Sequence, residues 1–511
     1  MKRKQYISYF TLLTVMIMTI SCTNLEIEET DSRFEDPSGS FTGVEPASSL
    51  ENLYNSIRGQ IETQEGIYAL SEVSTDELVV PTRGTDWGDN GVWRTLHSHY
   101  WSTTHRDVKS AWNGLNQNVF NATAIIDSRS NPSAQQAAEA KFLRAFSMFW
   151  LIDLYGQVPF RTPDEGPDVD PTVMTRADAF DFAMNDLTEA LPDLPTSGPS
   201  ATLNKVSKAA VRFLMAKFYL NKHIYLGTGS PDASDMNQVI NLVDAITADG
   251  FVLEDGYFDI FKQDVDSETI FYTTSGVGPR IWNTLHYNQN SPDNTGGGWN
   301  GFTTLAEFYD LFEGDANINE PGSGQEERRG FVPTDGSHLG IGYGFLIGQQ
   351  YDENGEILNN RTGNPLTFTK ELTGLLGNDE SKGIRVIKYH PENGAYTGHE
   401  VMFRYADAYL MKAEAIMRGG TSGDDPLTMV NNLRSIRHTS SALGSLNEQN
   451  MLDERGRELY AEFWRRNDLI RFGKFTETWS YKDNTEEFRV LYPIPATAII
   501  SNPNLVQNPG Y

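Results

Sequence analysis

The spacing of apolar and polar residues divides the chain into helical and irregular stretches. Through most of residues 49–249, apolar residues recur every three or four positions, which is the spacing of one buried helix face. The widest apolar face lies in residues 137–154 and stops just before Gly156 and Pro159, two residue types that end helices. The pattern predicts helices over residues 49–64, 109–127, 137–154, 176–191, 206–226 and 236–249.

The helical period disappears after residue 251 and returns near residue 400. Between these points Gly, Asn, Asp and aromatic residues increase, as in the stretch GGGWNG at residues 296–301. Helices are predicted again over residues 400–418, 426–437 and 451–473, whereas the prolines after residue 490 predict an extended tail. The sequence therefore predicts a mainly α-helical scaffold of stacked helix pairs, interrupted by one irregular, loop-rich insertion.

The first 22 residues carry the pattern of a bacterial export signal. Three basic residues precede an apolar run at residues 6–20, and Cys22, the only cysteine of the chain, follows that run. The run is shorter than the roughly 20 residues that a membrane-spanning helix needs. We predict a signal peptide at residues 1–21, a lipid on Cys22 and a flexible acidic tether at residues 22–48. The alternative is an ordinary cleaved signal with an incidental cysteine.

The charge of the chain excludes one class of partner. The formal net charge is −28, whereas nucleic-acid phosphates require a basic surface. The same charge disfavours binding of the protein surface to anionic lipid, so a membrane contact is predicted only through the lipid anchor. With 39% hydrophobic residues the chain can form a large core, and with a single cysteine that core must be stable without disulfides.

The neighbours of each tryptophan separate core residues from candidate ligand contacts. Trp112, Trp150 and Trp464 lie in apolar helical patterns and are predicted to pack in the core. Trp87 and Trp299 instead lie in turn-rich segments with adjacent glycines. Because glycine has no side chain, each indole ring can project from the surface. Two projecting rings beside polar residues are typical of a surface that binds a ligand.

An aromatic platform beside polar side chains suits a ligand that combines an apolar face with hydroxyl groups. We predict Trp87 and Trp299 as the stacking platforms. The alternative is that these aromatic residues only brace long loops. The remaining candidates are the aromatic residues Trp93, Trp282 and Tyr287 and the hydroxyl-binding residues Asp76, Arg83, Asp86, Asp89, Asn288 and Arg385.

Two patterns suggest a metal site without meeting its requirements. The histidines at positions 97, 99 and 105 have no carboxylate or cysteine at a suitable spacing for zinc, so we predict a structural or solvated role. Residues 315–326 resemble a calcium loop, but Glu320 occupies the sixth position, where the EF-hand needs glycine. No cofactor and no defined metal site are predicted, and loosely bound calcium is left open.

Three carboxylates with helical spacing invite an enzymatic interpretation. Glu454, Glu458 and Glu462 are four residues apart, so they would share one helix face, and arginines are interleaved with them. Such interleaving favours an ion-pair network that braces helices. A glycosidase instead needs two carboxyl groups on opposite sides of the scissile bond. Because the chain also lacks the common hydrolase motifs, we predict that it is not an enzyme.

Several motifs resemble one family when their order and spacing are taken together. They are AEAKFLRA at residues 138–145 leading into DLYGQVPF at 153–160, RYADAYLMKAEA at 404–415, NLRSIR at 432–437, DERGREL at 453–459 with RNDLIRFG at 466–473, and the ending YPIP at 492–495 with NPNLVQNPGY at 502–511. The chain thereby resembles the SusD/RagB family of outer-membrane nutrient-binding lipoproteins from Gram-negative cells.

The resemblance implies a fold of four tetratricopeptide-type helix pairs packed against an irregular, ligand-facing part. It divides the chain into a scaffold at residues 49–250, an insertion at 251–400, a second scaffold part at 401–475 and an extended segment at 476–511. It also implies a function: capture of oligosaccharides at the cell surface, without catalysis, and their delivery to a TonB-dependent, SusC-like outer-membrane transporter. The alternatives are a peptide-binding relative, a surface glycoside hydrolase and a helical-repeat assembly factor that binds only protein.

Overall fold

The computed structural model describes residues 40–166, 168–200, 202–264, 266–274, 276–292, 295–314, 324–393, 398–439 and 441–511. The predicted signal peptide, Cys22, most of the predicted tether and residues 315–323 of the calcium-like loop lie outside the described residues. Within the described ranges, no helix has both the length and the apolar character that crossing a bilayer requires.

Helices build most of the structure on both sides of the irregular insertion. Their ends follow local capping chemistry: the Glu45 carboxylate accepts from main-chain N–H groups of the first turn of the first helix, and Ser133 and Gln136 form a capping box. The helices are α1 Pro46–Glu62, α2 Val92–His97, α3 Arg106–Ile126, α4 Ala134–Leu154, α5 Arg176–Ala190, α6 Lys208–Tyr225, α7 Ala233–Ala248, α8 Gly278–Thr284, α9 Ala306–Tyr309, α10 Tyr405–Met417, α11 Pro426–Ile436, α12 Glu448–Leu459, α13 Arg465–Arg471 and α14 Ala496–Ser501.

The main core lies between the stacked helices. Helix α4 packs against α3 and α5, α7 packs against α6 and α10, and α10 packs against α11. The Trp150 ring stacks on Trp464 with centroids 5.6 Å apart, and Phe149 meets Phe218 edge-on at 5.2 Å. Trp112, Trp150 and Trp464 are all buried, which confirms their predicted place in the core.

The insertion has a second hydrophobic cluster of its own, which includes Tyr257, Phe308, Phe345 and Tyr460. Short antiparallel pairings, such as β4 with β11, connect its loops. The strands are β1 Leu78–Val79, β2 Gln157–Phe160, β3 Thr172–Thr175, β4 Thr269–Thr273, β5 Thr303–Thr304, β6 Gly330–Phe331, β7 Tyr343–Leu346, β8 Gly348–Gln349, β9 Thr367–Phe368, β10 Arg385–Ile387 and β11 Glu400–Arg404.

Three predicted elements differ from the structure. Residues 400–404 are strand rather than helix, because they pair with β4. The predicted helix over residues 451–473 breaks into α12 and α13, since Ala461 and Phe463 adopt positive φ angles of 58° and 74° between them. The predicted extended tail contains α14, which begins directly after Pro495, a position that proline tolerates at the start of a helix.

The glutamates of α12 lie in a buried ion-pair network, as the interleaved charges predicted. Glu458 accepts from Arg328 at 3.0 Å, Arg404 at 2.7 Å and Arg437 at 2.9 Å, and all four side chains are at most 1% exposed. These guanidinium groups hold the pKa of Glu458 far below its usual range, although burial acts in the opposite direction. Contrary to the prediction, Glu462 does not lie on the same helix, because α12 ends at Leu459.

Two buried carboxyl groups fix the turn that separates α12 from α13. Glu77 accepts from the main-chain N–H of Ala461, and Glu72 accepts from that of Phe463. The second oxygen of each carboxyl is buried and has no hydrogen-bond donor from the rest of the protein. Burial raises the pKa of Glu72 well above its usual range and that of Glu77 to about 7, and the neighbouring Glu77 raises the pKa of Glu72 further. We therefore expect the pair to share a proton.

Candidate ligand-binding cleft

An open cleft of about 640 Å³ lies where the insertion meets the loop before α2. Its volume falls in the range of about 300–1,000 Å³ that small-molecule ligands occupy. It unites side chains that are far apart in the sequence, from the end of α1 to the loop after β8. The lining residues are Gln64, Glu65, Thr85, Asp86, Trp87, Gly88, Asp89, Trp93, Arg106, Asn283, Tyr287, Gly298, Trp299 and Arg361.

Trp299 presents its ring to solvent at this cleft. It is 64% exposed and is the only tryptophan of the described ranges that ranks among the exposed large apolar side chains. Its main chain is fixed, because its N–H donates to the carbonyl of Trp282 at 2.6 Å and those of Asn300 and Gly301 donate to Leu285 and Asn283. An exposed indole on an anchored backbone is a ready stacking surface for a ligand.

Trp87 stands beside Trp299 but is half-buried. Its indole N–H donates to the carbonyl of Trp299 at 2.7 Å, and its ring meets Trp93 and Phe302 edge-on. A Cβ on Gly301 would lie 2.2 Å from the Trp87 ring, so only glycine allows this close approach. One side of Trp87 therefore belongs to the core and the other to the cleft.

The loop that carries Trp87 has a strained backbone. Trp87, Asp89 and Asn90 have positive φ angles of 60°, 36° and 53°. Only glycine adopts such angles readily, and each non-glycine example costs of the order of 1 kcal/mol. Residues held in this way concentrate at functional sites, where the surrounding structure enforces the conformation.

One wall of the cleft is a chain of polar contacts on an aromatic ring. The Arg361 guanidinium lies 3.5 Å from the centroid of the Tyr287 ring and donates to Glu380 at 2.7 Å. The Tyr287 hydroxyl donates to Asp86, which is 3.8 Å from Arg361. Burial and the hydrogen bond to Asp86 raise the pKa of Tyr287, so its hydroxyl keeps its proton at neutral pH.

The opposite wall carries a second set of paired charges. Arg106 contacts Glu65 at 3.0 Å and Asp107 at 3.2 Å, and its guanidinium lies 4.9 Å from the centroid of Trp93. Asp89 accepts from the Trp93 indole at 2.7 Å. Burial raises the pKa of Glu65. Both walls thus offer carboxylate oxygens and guanidinium groups on either side of the indole rings.

The structure brings six of the eleven predicted ligand contacts to the cleft lining: Asp86, Trp87, Asp89, Trp93, Tyr287 and Trp299. Of these, Trp93 is only 1% exposed, because its ring packs in the core between Trp87 and Phe302. It braces the platform and has no free face on which a sugar could stack.

The two predicted arginine ligands are anchors behind the cleft. Arg385 is fully buried and donates to the Asn300 side chain at 2.9 Å, so it holds the residue next to Trp299. Arg83 is 3% exposed and donates to the carbonyls of Asp379 and Lys382 at 3.0 and 2.7 Å. Burial lowers the pKa of Arg83 to about 10. Both side chains give their hydrogen bonds to the protein itself.

The other three predicted contacts also lie outside the lining. Asp76 forms a bidentate ion pair with Arg465 in a different cleft, with N–O distances of 2.6 and 2.7 Å. Asn288 donates to the carbonyl of Asn359 at 2.7 Å, and Trp282 is half-buried. Of the three, Asn288 joins the loop after α8 to the loop that carries Arg361.

Sequence reasoning missed six lining side chains: Gln64, Glu65, Thr85, Arg106, Asn283 and Arg361. Only Arg361 had a usable signal, since it lies in the turn-rich stretch NNRTGN at residues 359–364, which resembles the loops around Trp87 and Trp299. His97 and His99, for which a structural or solvated role was predicted, are buried and contact main-chain carbonyls, as a structural role requires. In the described part of the chain, no group of three or more His, Cys, Asp and Glu residues is placed to hold a metal ion.

Two family models match different parts of the chain. The model described as the SusD family matches residues 267–511, and one described as starch-binding and associating with the outer membrane matches residues 35–220. The starch-binding protein SusD of Bacteroides thetaiotaomicron is 25% identical over 504 residues, which cover 89% of this chain and 87% of that protein.

Solved structures with similar folds include a laminarin-binding SusD-like protein, with a TM-score of 0.67, 21% identity and coverage of 91% of this chain and 99% of that chain. Surface glycan-binding protein A of Bacteroides thetaiotaomicron, solved with laminarihexaose, has a TM-score of 0.68, 19% identity and coverage of 91% and 98%. These likenesses confirm the predicted fold class, a tetratricopeptide-like scaffold with an irregular insertion. On the two family models together, this chain belongs to the SusD family.

Proposed function

We propose that this protein binds glycans at the outer surface of a Gram-negative cell and does not cleave them. The observation that carries the proposal is the exposed Trp299 ring beside the half-buried Trp87, at a cleft of ligand size. Indole faces stack on the C–H faces of sugar rings, and the surrounding carboxylates, amides and guanidinium groups match their hydroxyl groups. Relatives named for binding starch and laminarin support the same ligand class.

The arrangement of carboxyl groups supports binding without catalysis. Glycoside hydrolysis needs two carboxyl groups, one of them an acid that protonates the leaving oxygen. In the cleft, Asp86 accepts from Tyr287, Asp89 accepts from Trp93, and Glu65 pairs with Arg106. Asp86 and Asp89 are thus engaged with neighbouring side chains, and Glu65, whose pKa is raised by burial, is paired with Arg106.

The remaining part of the proposal concerns location and delivery. We propose that lipid on Cys22 anchors the protein in the outer membrane and that a SusC-like, TonB-dependent transporter receives the glycan. The cleft is open on the side of Trp299, so a partner can cover the exposed ring and the bound sugar. The affinity of the protein by itself is then modest, because part of the contact surface comes from the transporter.

A binding assay with a panel of polysaccharides tests this function. We expect saturable retention of at least one glycan, loss of that retention in Trp299→Ala, and no release of new reducing ends. Retention of peptides but of no glycan would favour the peptide-binding alternative. Release of reducing ends by the wild type, lost in Asp86→Asn, would show that the protein is a hydrolase. Binding to the transporter without binding to any glycan or peptide would show that it is an assembly factor.

A further inference from the structure

We infer that the cleft selects neutral glycans and rejects acidic ones such as uronates and sulfated polysaccharides. The inference rests on the proposed glycan-binding function and adds the charge class of the ligand. It comes from the number, partners and positions of the charged side chains around Trp87 and Trp299.

The cations of the cleft are already paired. Arg106 and Arg361 are the only arginines among the described lining residues, and no lysine lies among them. Arg106 contacts Glu65 and Asp107, and Arg361 contacts Glu380 and Asp86. A ligand carboxylate or sulfate could contact only the guanidinium N–H groups that these partners leave free, and it would then lie close to the partner carboxylates, which would repel it.

The carboxylates outnumber the cations around these pairs. Glu65, Asp86 and Asp89 line the cleft, and Asp107 and Glu380 lie directly behind the two arginines. Five carboxylates thus surround two guanidinium groups. At physiological ionic strength, charges interact over about 8 Å, so an acidic sugar in the cleft would be repelled by these groups.

The buried arginines behind the wall do not supply the missing positive contacts. Arg83 and Arg385 are 3% and 0% exposed, and they donate to main-chain carbonyls and to Asn300. The Nε and Nη2 atoms of Arg83 have no hydrogen-bond partner, but they are buried behind the cleft wall. The charges of the two arginines weaken the repulsion, but their N–H groups are not exposed to a ligand in the cleft.

Neutral hydroxyl groups fit the same surface without displacing any pair. A carboxylate has about four acceptor positions, and each cleft carboxylate uses only part of them in its contact with the protein. The free positions can accept from sugar O–H groups, while the remaining guanidinium N–H groups can donate to sugar oxygens. The cleft therefore recognises hydroxyl groups through its charges and needs no charge on the ligand.

The test compares each glycan with its own charged derivative. Starch and laminarin are titrated into the purified protein beside the same polymers with their primary hydroxyl groups oxidised to carboxylates, together with xylan and polygalacturonate. We expect at least one neutral polymer to bind, its binding to be lost in Trp299→Ala, and every acidic polymer to bind at least about tenfold more weakly.

A charge variant sharpens the result. Glu65→Gln with Asp89→Asn removes two negative charges from the lining and should raise the affinity for an oxidised polymer several-fold relative to the affinity for its neutral parent. Asp453→Asn, which removes one charge outside this cleft, is the control and should change neither affinity.

The outcomes separate the inference from the function on which it rests. Binding of an acidic polymer that depends on Trp299 and equals or exceeds neutral binding would overturn the charge selectivity and leave glycan binding intact. Absence of binding to every neutral and acidic polymer would overturn both.

Discussion

The ion-pair network of α12 and the ligand cleft use the same three kinds of side chain: carboxylates, arginines and aromatic rings. In the network, Glu458, Arg328, Arg404 and Arg437 are each at most 1% exposed, and Glu458 accepts from all three arginines. In the cleft, Asp86 and Arg361 are 42% and 52% exposed, and each keeps unused hydrogen-bonding positions. Solvent exposure, rather than residue type, therefore distinguishes a structural charge cluster from a candidate binding surface.

The largest effect on stability is expected from removing the negative charge of Glu458 in the ion-pair network. Glu458→Gln leaves three guanidinium groups with one anion fewer in a buried site, and breaking such a pair costs about 3–5 kcal/mol. We expect a fall of that size in the free energy of unfolding, measured by chemical denaturation, with unchanged glycan affinity of the folded protein. Asp453→Asn on the same helix is the control. Loss of affinity at full stability would place Glu458 in the binding site and contradict its structural role.

A smaller effect is expected from the proton shared by Glu72 and Glu77. Their raised pKa values mean that the folded protein holds a proton which the unfolded chain releases near its ordinary pKa. The stabilisation is complete below the unfolded value and is lost as the pH rises through about 7.

In Glu72→Gln, an amide N–H that does not titrate replaces the carboxyl proton beside Glu77. Between pH 5 and pH 8 the wild type should therefore lose of the order of 1–3 kcal/mol of stability relative to the variant. Thermal unfolding across this range measures the difference. Parallel curves for the two proteins would show that the pair does not share a proton.

In the cleft, binding and stability should separate. Trp299→Ala removes an exposed ring, so we expect glycan affinity to fall by about tenfold or more, with less than about 0.5 kcal/mol change in stability. Trp87→Ala should lower both, because that ring also packs on Trp93 and Phe302. Calorimetric titration and thermal unfolding of both variants distinguish a platform from a brace. Equal losses of stability would show that Trp299 is a brace as well.

The smallest expected effect concerns salt. A neutral glycan makes no net ion pair with the cleft, so its affinity should change by less than about twofold between roughly 0.05 and 0.5 M NaCl. Titrations at the two salt concentrations check this. A steep fall in affinity with salt would mean that charge pairing with the ligand drives binding.

The helices and the core tryptophans could be predicted from the sequence because the local spacing of apolar residues determines them. The apolar spacing of residues 137–154 and the apolar neighbours of Trp150 determine a helix face and its burial without reference to distant segments. The break after Leu459 was not accessible, since it depends on Glu72 and Glu77 holding a turn almost 390 residues away.

The cleft could be predicted only in part, because much of it depends on contacts between segments that are far apart in the sequence. Glycines beside Trp87 and Trp299 marked both rings as exposed candidates, and both line the cleft. Arg385 has the chemistry of a ligand contact, but its burial behind Asn300 is decided by tertiary packing. Glu65 follows the end of α1 and Arg106 begins α3, and neither carries a local sign that it faces the same space as Trp299.

The segment that carries Trp299 has a consequence for the speed of capture. Five main-chain N–H groups, from Gly298 to Phe302, donate to carbonyls at the end of α8 and in the two residues that follow, so this shelf is already in place before any ligand arrives. Association then requires no loop ordering, and rapid-mixing traces should follow a single exponential whose rate rises linearly with glycan concentration. Such a shelf lets a polymer chain dissociate and rebind many times, as the proposed transfer of the ligand to a transporter would require.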